Sequence, residues 1–233
     1  SNTNNLTGTI NNSGILNLSG TLDKTILGNG TTKVNGILNF VPSAIIDGVL
    51  DLNKGTISTS DLSYSKYDIA TIDGVGNATI DVDWSNSKAD FFNSTSGSGV
   101  LNLTLNQTET ENIWDTKTIQ ITNGGVGISL DTKTGVKEQE ILGSDDLKAN
   151  TNWADKFGSW KRTDTYSEKI SAIKSSGSLV NDTIQYEVIK TNEGAKSYTT
   201  DGDTLALIIQ NTVAGSKDKT FTTTNANDIY TVK

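Results

Sequence analysis

Gly36-Ile37-Leu38-Asn39-Phe40 is one copy of a short phrase that recurs in the first half of the chain. The others are Gly14-Ile15-Leu16-Asn17-Leu18, Gly48-Val49-Leu50-Asp51-Leu52 and Gly99-Val100-Leu101-Asn102-Leu103. Each reads Gly, β-branched residue, Leu, Asn or Asp, apolar residue. Side chains alternate between the two faces of a strand, so the first Leu and the last apolar residue share one face, and the β-branched residue and Asn or Asp share the other. The Leu face reads as core, and the leading Gly as a corner where positive φ costs nothing.

The first two copies start 22 residues apart and the third follows 12 residues later. A recurrence of 20–50 residues is the mark of a solenoid. Between the copies lie further short apolar runs with Gly or Asn punctuation. Examples are Gly8-Thr9-Ile10, Thr25-Ile26-Leu27-Gly28, Ala44-Ile45-Ile46-Asp47 and Gly55-Thr56-Ile57. Strands this short and this closely spaced suit a coil with two or three sides, whereas a sandwich uses longer strands at wider spacing. The expectation is an all-β protein, a β-solenoid, with a β-sandwich as the alternative.

Two segments are expected: solenoid coils over 1–135, and a β-rich continuation or cap over 136–233. Asn152-Trp153-Ala154-Asp155-Lys156-Phe157 has the form of a helix start with Asn152 as N-cap, which allows a short helix near 152–160. Strands are expected at 183–189, 204–210, 220–222 and 229–232.

Composition narrows the function. Apolar residues are 33% of the 233, and Leu, Ile, Val and Phe make up about a quarter, enough to fold around a thin core. Cys, His and Met are absent. That removes disulfides, thiolate chemistry, and the commonest general base and metal ligand. The net charge of −8 argues against nucleic acid, which needs a clustered positive surface. No apolar run approaches the roughly 18 residues of a membrane span, so no membrane insertion of this segment is expected. The first residue, Ser1, reads as the start of a processed chain or a fragment.

Two phrases carry a resemblance. Ile80-Asp81-Val82-Asp83-Trp84 through Lys88-Ala89-Asp90-Phe91-Phe92 to Gly99-Val100-Leu101-Asn102-Leu103 resembles the passenger domains of bacterial autotransporters, as does Gly202-Asp203-Thr204-Leu205-Ala206-Leu207 with Phe221. The resemblance covers about residues 70–110 and 200–232. It implies a right-handed parallel β-helix, export to the bacterial cell surface, and adhesion, display or spacing as the role. The membrane barrel of that family is not in this sequence.

Candidate chemistry rests on acids and aromatics. Paired carboxylates occur at Asp81/Asp83, Glu138/Glu140, Asp145/Asp146 and Asp201/Asp203, and Asp90 lies near enough in sequence to join the first pair. A β-helical polysaccharide lyase or hydrolase would gather such acids in a groove. The competing reading is a solvated polar face, which the Asn, Ser and Lys from Asn77 to Lys88 favour. Gly74-Val75-Gly76 and Gly124-Gly125-Val126-Gly127 lack the Lys-Ser/Thr of a phosphate-binding loop and read as strand corners. Trp153, Trp160 and Tyr166 form the candidate glycan-stacking platform, although most Trp residues serve in cores. No metal site, cofactor or catalytic residue is assigned. The expected partners are host or extracellular glycan or protein surfaces, or copies of the chain itself as in a surface fibre.

Overall fold

The computed structural model describes residues 8–59, 61–108, 113–142, 159–192 and 197–199. All regular structure in them is β. The strands of the first half are β1 (Ile10–Asn11), β2 (Ile15–Leu22), β3 (Thr25–Leu27), β4 (Thr31–Phe40), β5 (Ile45–Asp51), β6 (Thr56–Ser58), β7 (Lys66–Asp73) and β8 (Val75–Asp83). They continue as β9 (Lys88–Ala89), β10 (Phe91–Asn93), β11 (Val100–Gln107), β12 (Lys117–Gln120) and β13 (Gly127–Ser129). After these come β14 (Lys133–Leu142), β15 (Ser159–Ile173), β16 (Thr183–Asn192) and β17 (Ser197–Thr199).

The chain divides into two compact units, Ser1–Thr134 with Lys169–Glu187, and Gly135–Glu168 with Val188–Lys233. The first unit is a parallel β-solenoid of about four turns. Each turn contributes three extended runs, and each run bonds to the same run of the turns before and after. On one side Ile10, Ile26, Ile46 and Ile69 stack in register, and Asp68 then pairs with Asn93. A second side stacks Leu16, Thr32, Leu50 and Ile72. A third stacks Leu38, Ile57, Ala78 and Leu103.

Alternation drives the packing. Leu18, Leu38, Leu50 and Ile57 are fully buried, while Ile15, three positions before Leu18, and Ile37, one before Leu38, are 69% and 59% exposed. A file of rings, Phe40, Tyr67 and Phe92, runs through neighbouring coils at centroid separations of 6.2 and 6.0 Å. Such offset and edge-on pairs add roughly 0.5–1.5 kcal/mol each beyond area burial.

The recurring phrase is not one coil long. The copies at Gly14 and Gly48 lie on the second side, where Leu16 and Leu50 both register with Thr32. Those at Gly36 and Gly99 lie on the third, where Leu38 registers with Ile57 and Leu101 with Gly76. The 22-residue interval therefore spans one coil plus one corner. Actual coil lengths, from Ile10 to Ile26, Ile46 and Ile69, are 16, 20 and 23 residues.

The glycines also divide. Gly36 takes a positive φ of 88° at a corner, as expected. Gly48 is required for room instead, because an added Cβ would lie 2.2 Å from the Gly30 carbonyl oxygen of the coil beneath. Inside the coils Thr32 is fully buried, and its Oγ has no hydrogen-bond partner among the described residues. Desolvating a hydroxyl without a partner costs about 1–3 kcal/mol. Thr32→Val, matched in shape, should raise the chemical-denaturation midpoint; a lowered midpoint would show that the hydroxyl has a partner.

The end of the solenoid is covered by the return segment. Asn181 and Asp182 carbonyls accept from Ile128 N and Ile121 N at 2.8 Å each, and β16 pairs antiparallel with β12. Burial pushes the Asp182 carboxyl up, but hydrogen bonds from Ser175 and Thr183 outweigh it and leave the group below its ordinary range. Terminal coils need such polar caps because an open coil end exposes core.

In the second unit Asp164 is fully buried and its carboxylate meets Lys190 Nζ at 2.7 Å. Of the helix allowed over 152–160, residues 152–158 lie outside the described residues. Ser159 and Trp160 are extended, opening β15, and pair with Thr199 and Tyr198 of β17. The expected strand at 183–189 is the body of β16, whereas 204–210, 220–222 and 229–232 fall outside the described residues. Among the described residues no helix is long and apolar enough to cross a membrane.

Candidate functional site

Asp81 and Asp83 follow the outward rows of β8, so alternation alone would leave both in solvent. Asp83 stays partly exposed, and hydrogen bonds from the Asn86 side chain and backbone hold its carboxyl below the ordinary range. Asp81 does not stay exposed. Residues 61–65, between β6 and β7, fold over it as a strap, and its carboxylate is fully buried. Asp81 Oδ2 accepts from Asp61 N at 2.9 Å and from Leu62 N, and Oδ1 accepts from Asn106 Nδ2.

Asp90, after the turn that returns from β8, is also fully buried and joins the same cluster. Its Oδ1 accepts from Ser65 N at 2.9 Å. Its Oδ2 accepts from Asp81 N at 2.8 Å and lies 2.7 Å from Thr59 Oγ. Burial, and secondarily the charge of Asp81, raise the Asp90 carboxyl. Tyr67, beside them in β7, is pushed up by burial first and by Asp90 second.

The expectation that these acids are ordinary solvated carboxylates is thus corrected at Asp81 and Asp90. The burial arises because a polar insertion, Asp61-Leu62-Ser63-Tyr64-Ser65, closes over the strand. Two of its residues sit in the left-handed region, Leu62 at φ 58° and Tyr64 at φ 51°. Non-glycine residues hold that conformation only where the surroundings fix it. Here the surroundings are the two carboxylates, which gather the strap's N–H groups. Leu62 itself remains 64% exposed at the tip.

Asp81 and Asp90 come together as the spacing allowed, but their oxygens face backbone donors rather than an open groove. Among the described residues no group of three or more acidic side chains is placed to hold a metal ion. Glu138 is exposed, and Asp145, Asp146, Asp201 and Asp203 lie outside the described residues.

The aromatic platform is only partly visible. Trp153 lies outside the described residues, Trp160 is described as a backbone position in β15, and Tyr166 is half-buried further along that strand. Trp84 serves the core: its ring centroid lies 5.6 Å from that of Tyr186 and its Nε1 donates to Gln107 Oε1 at 3.1 Å. The strap and Thr59 were missed in the sequence. The available signal was the Ser/Thr/Asp run from Ser58 to Ser65, which lengthens the coil between Ile57 and Tyr67.

The result is a parallel β-solenoid in which two acids of the outer wall are buried beneath a strap whose backbone they bind. Comparison with known proteins adds no finer assignment, since no family model, curated protein or solved structure matches the chain.

Proposed function

We propose that this chain is a non-catalytic bacterial surface or secreted domain of the autotransporter-passenger type, serving adhesion, display or spacing outside the cell. The observation that carries the reading is the use made of the acids. Asp81 and Asp90 spend their oxygens on Asp61, Leu62, Ser65 and Asp81 N–H groups, and Asp83, the other member of the candidate pair, accepts from the Asn86 backbone and side chain. Catalytic acids need an oxygen free to meet substrate.

The exterior supports the same reading. Outward rows on the third side carry Thr56, Asn77, Asn102 and Ser129 in one file, and Asn39, Ser58, Thr79 and Thr104 in the next. Stacked strands repeat about every 4.7–4.9 Å, so these files present a short polar side chain from each coil at regular intervals. Such files suit contact with extended glycans or protein surfaces, or with further copies of the chain itself. Retention of the purified chain on immobilised glycans and on extracellular-protein coats tests adhesion directly. Saturable retention on at least one surface is expected; a folded chain retained by none of them contradicts the adhesive role.

A further inference from the structure

Thr59 has one hydroxyl hydrogen and two acceptors in reach. Its Oγ lies 2.9 Å from the Thr79 carbonyl oxygen and 2.7 Å from Asp90 Oδ2. A hydroxyl donates once, so an ionised Asp90 leaves one of those short approaches between two oxygens with no proton. A proton on Asp90 Oδ2 resolves both: Asp90 donates to Thr59, and Thr59 donates to Thr79. Oδ2 keeps a lone pair for Asp81 N, and Oδ1 keeps its bond from Ser65 N.

The surroundings favour the neutral form for a second reason. Asp81 and Asp90 are both fully buried, adjoin through the Asp81 N–H, and make no ion pair among the described residues. Two buried carboxyl groups without a cation do not readily both ionise. The ionisable groups around them are Asp61 and Tyr64 of the strap, Asp83 of β8, Tyr67 of β7, Lys88 of β9, whose charge acts on Asp83, and Lys66 of β7, exposed and paired with Asp68. Acids outnumber the cations in that set.

We propose that Asp90 is a proton-holding latch: in the folded protein it carries a proton, donates it to Thr59, and through Thr59 and Ser65 fastens the 61–65 strap to the solenoid wall. The raised position of the Asp90 carboxyl agrees with this geometry. The strap's attachment is then complete below the ordinary aspartate range. It weakens as pH rises through the folded-state pKa of Asp90, because a group bound more tightly by protons in the folded state loses its contribution there. The strap, with exposed Leu62 at its tip, is thereby a segment of the wall whose tightness follows pH.

The test is a ¹³C NMR titration of the Asp90 side-chain carboxyl in the full chain, with amide exchange at Leu62 and Ser65 corrected for intrinsic pH dependence. Asp90 should bind its proton at least tenfold more tightly than the exposed carboxylates of the same chain. Corrected exchange at Ser65 should quicken severalfold as Asp90 ionises. Asp90→Asn keeps an acceptor for Ser65 N and a donor for Thr59 but loses the acceptor for Asp81 N, so its exchange should be intermediate and without the pH dependence, whereas Asp90→Ala should exchange fast throughout. An Asp90 titrating with the surface carboxylates would overturn the proposal, as would a pH-dependent quickening at Ser65 that persists unchanged in Asp90→Asn. The titration uses the unmodified protein, so a variant that fails to fold does not remove the test.

Discussion

Trp84→Ala is expected to lower the unfolding free energy by about 3–5 kcal/mol, the range for deleting a large buried aromatic. Trp84 is fully buried, packs on Tyr186 and donates its only N–H to Gln107. It follows β8 directly, so its ring ties a coil of the solenoid to the return segment that covers the end. Removing it opens a cavity against Tyr186, while the exposed Gln107 carbonyl can turn to water. Urea titration followed by tryptophan fluorescence and circular dichroism reads the loss. A cost below about 1 kcal/mol would mean that the ring is not in the core, since surface substitutions usually stay within about 0.5 kcal/mol.

The second large effect concerns register. Leu38→Ala and Leu50→Ala should each cost about 2–5 kcal/mol, because both side chains are fully buried between coils and the coils cannot collapse into the gap. Asn39→Ser, one residue along and exposed, should change stability by no more than about 0.5 kcal/mol. Leu16→Ala should cost less than Leu38→Ala, since Leu16 is only half-buried. Equal costs at Leu38 and Asn39 would reverse the inward and outward faces.

Alternation made the core legible: of the Leu positions predicted inward, 38, 50 and 101 are buried and 16 is only half-buried, while Asn17, Asn39 and Asn102 face out. Coil length was not legible, because the same phrase serves two different sides and its spacing counts corners as well as turns. The glycines looked alike in sequence, yet Gly36 answers to backbone conformation and Gly48 to the carbonyl of the coil beneath. Only the stacked structure distinguishes them.

The site was less readable for a related reason. Periodicity placed Asp81 correctly on the outward row of its strand, but burial comes from a strap about twenty residues earlier that folds back over it. Asp90 was within reach of Asp81 by sequence, and Thr59 carried no signal of its own. β15 was hidden differently. Its alternation includes Asp164, whose burial is tolerated because Lys190 supplies the opposite charge, and an acid at an inward position masks a strand pattern.

On the proposed reading Asp81 and Asp90 fasten the 61–65 strap and do no chemistry on a substrate. The most direct test of that reading is product release by the purified chain from a panel of neutral and acidic polysaccharides, peptides and esters, run from pH 4 to 9. The account predicts no product above the buffer control on any of them. Turnover of a polysaccharide that Asp81→Asn or Asp83→Asn abolishes, with circular dichroism and denaturation midpoint unchanged, would contradict it and make the chain a lyase or hydrolase.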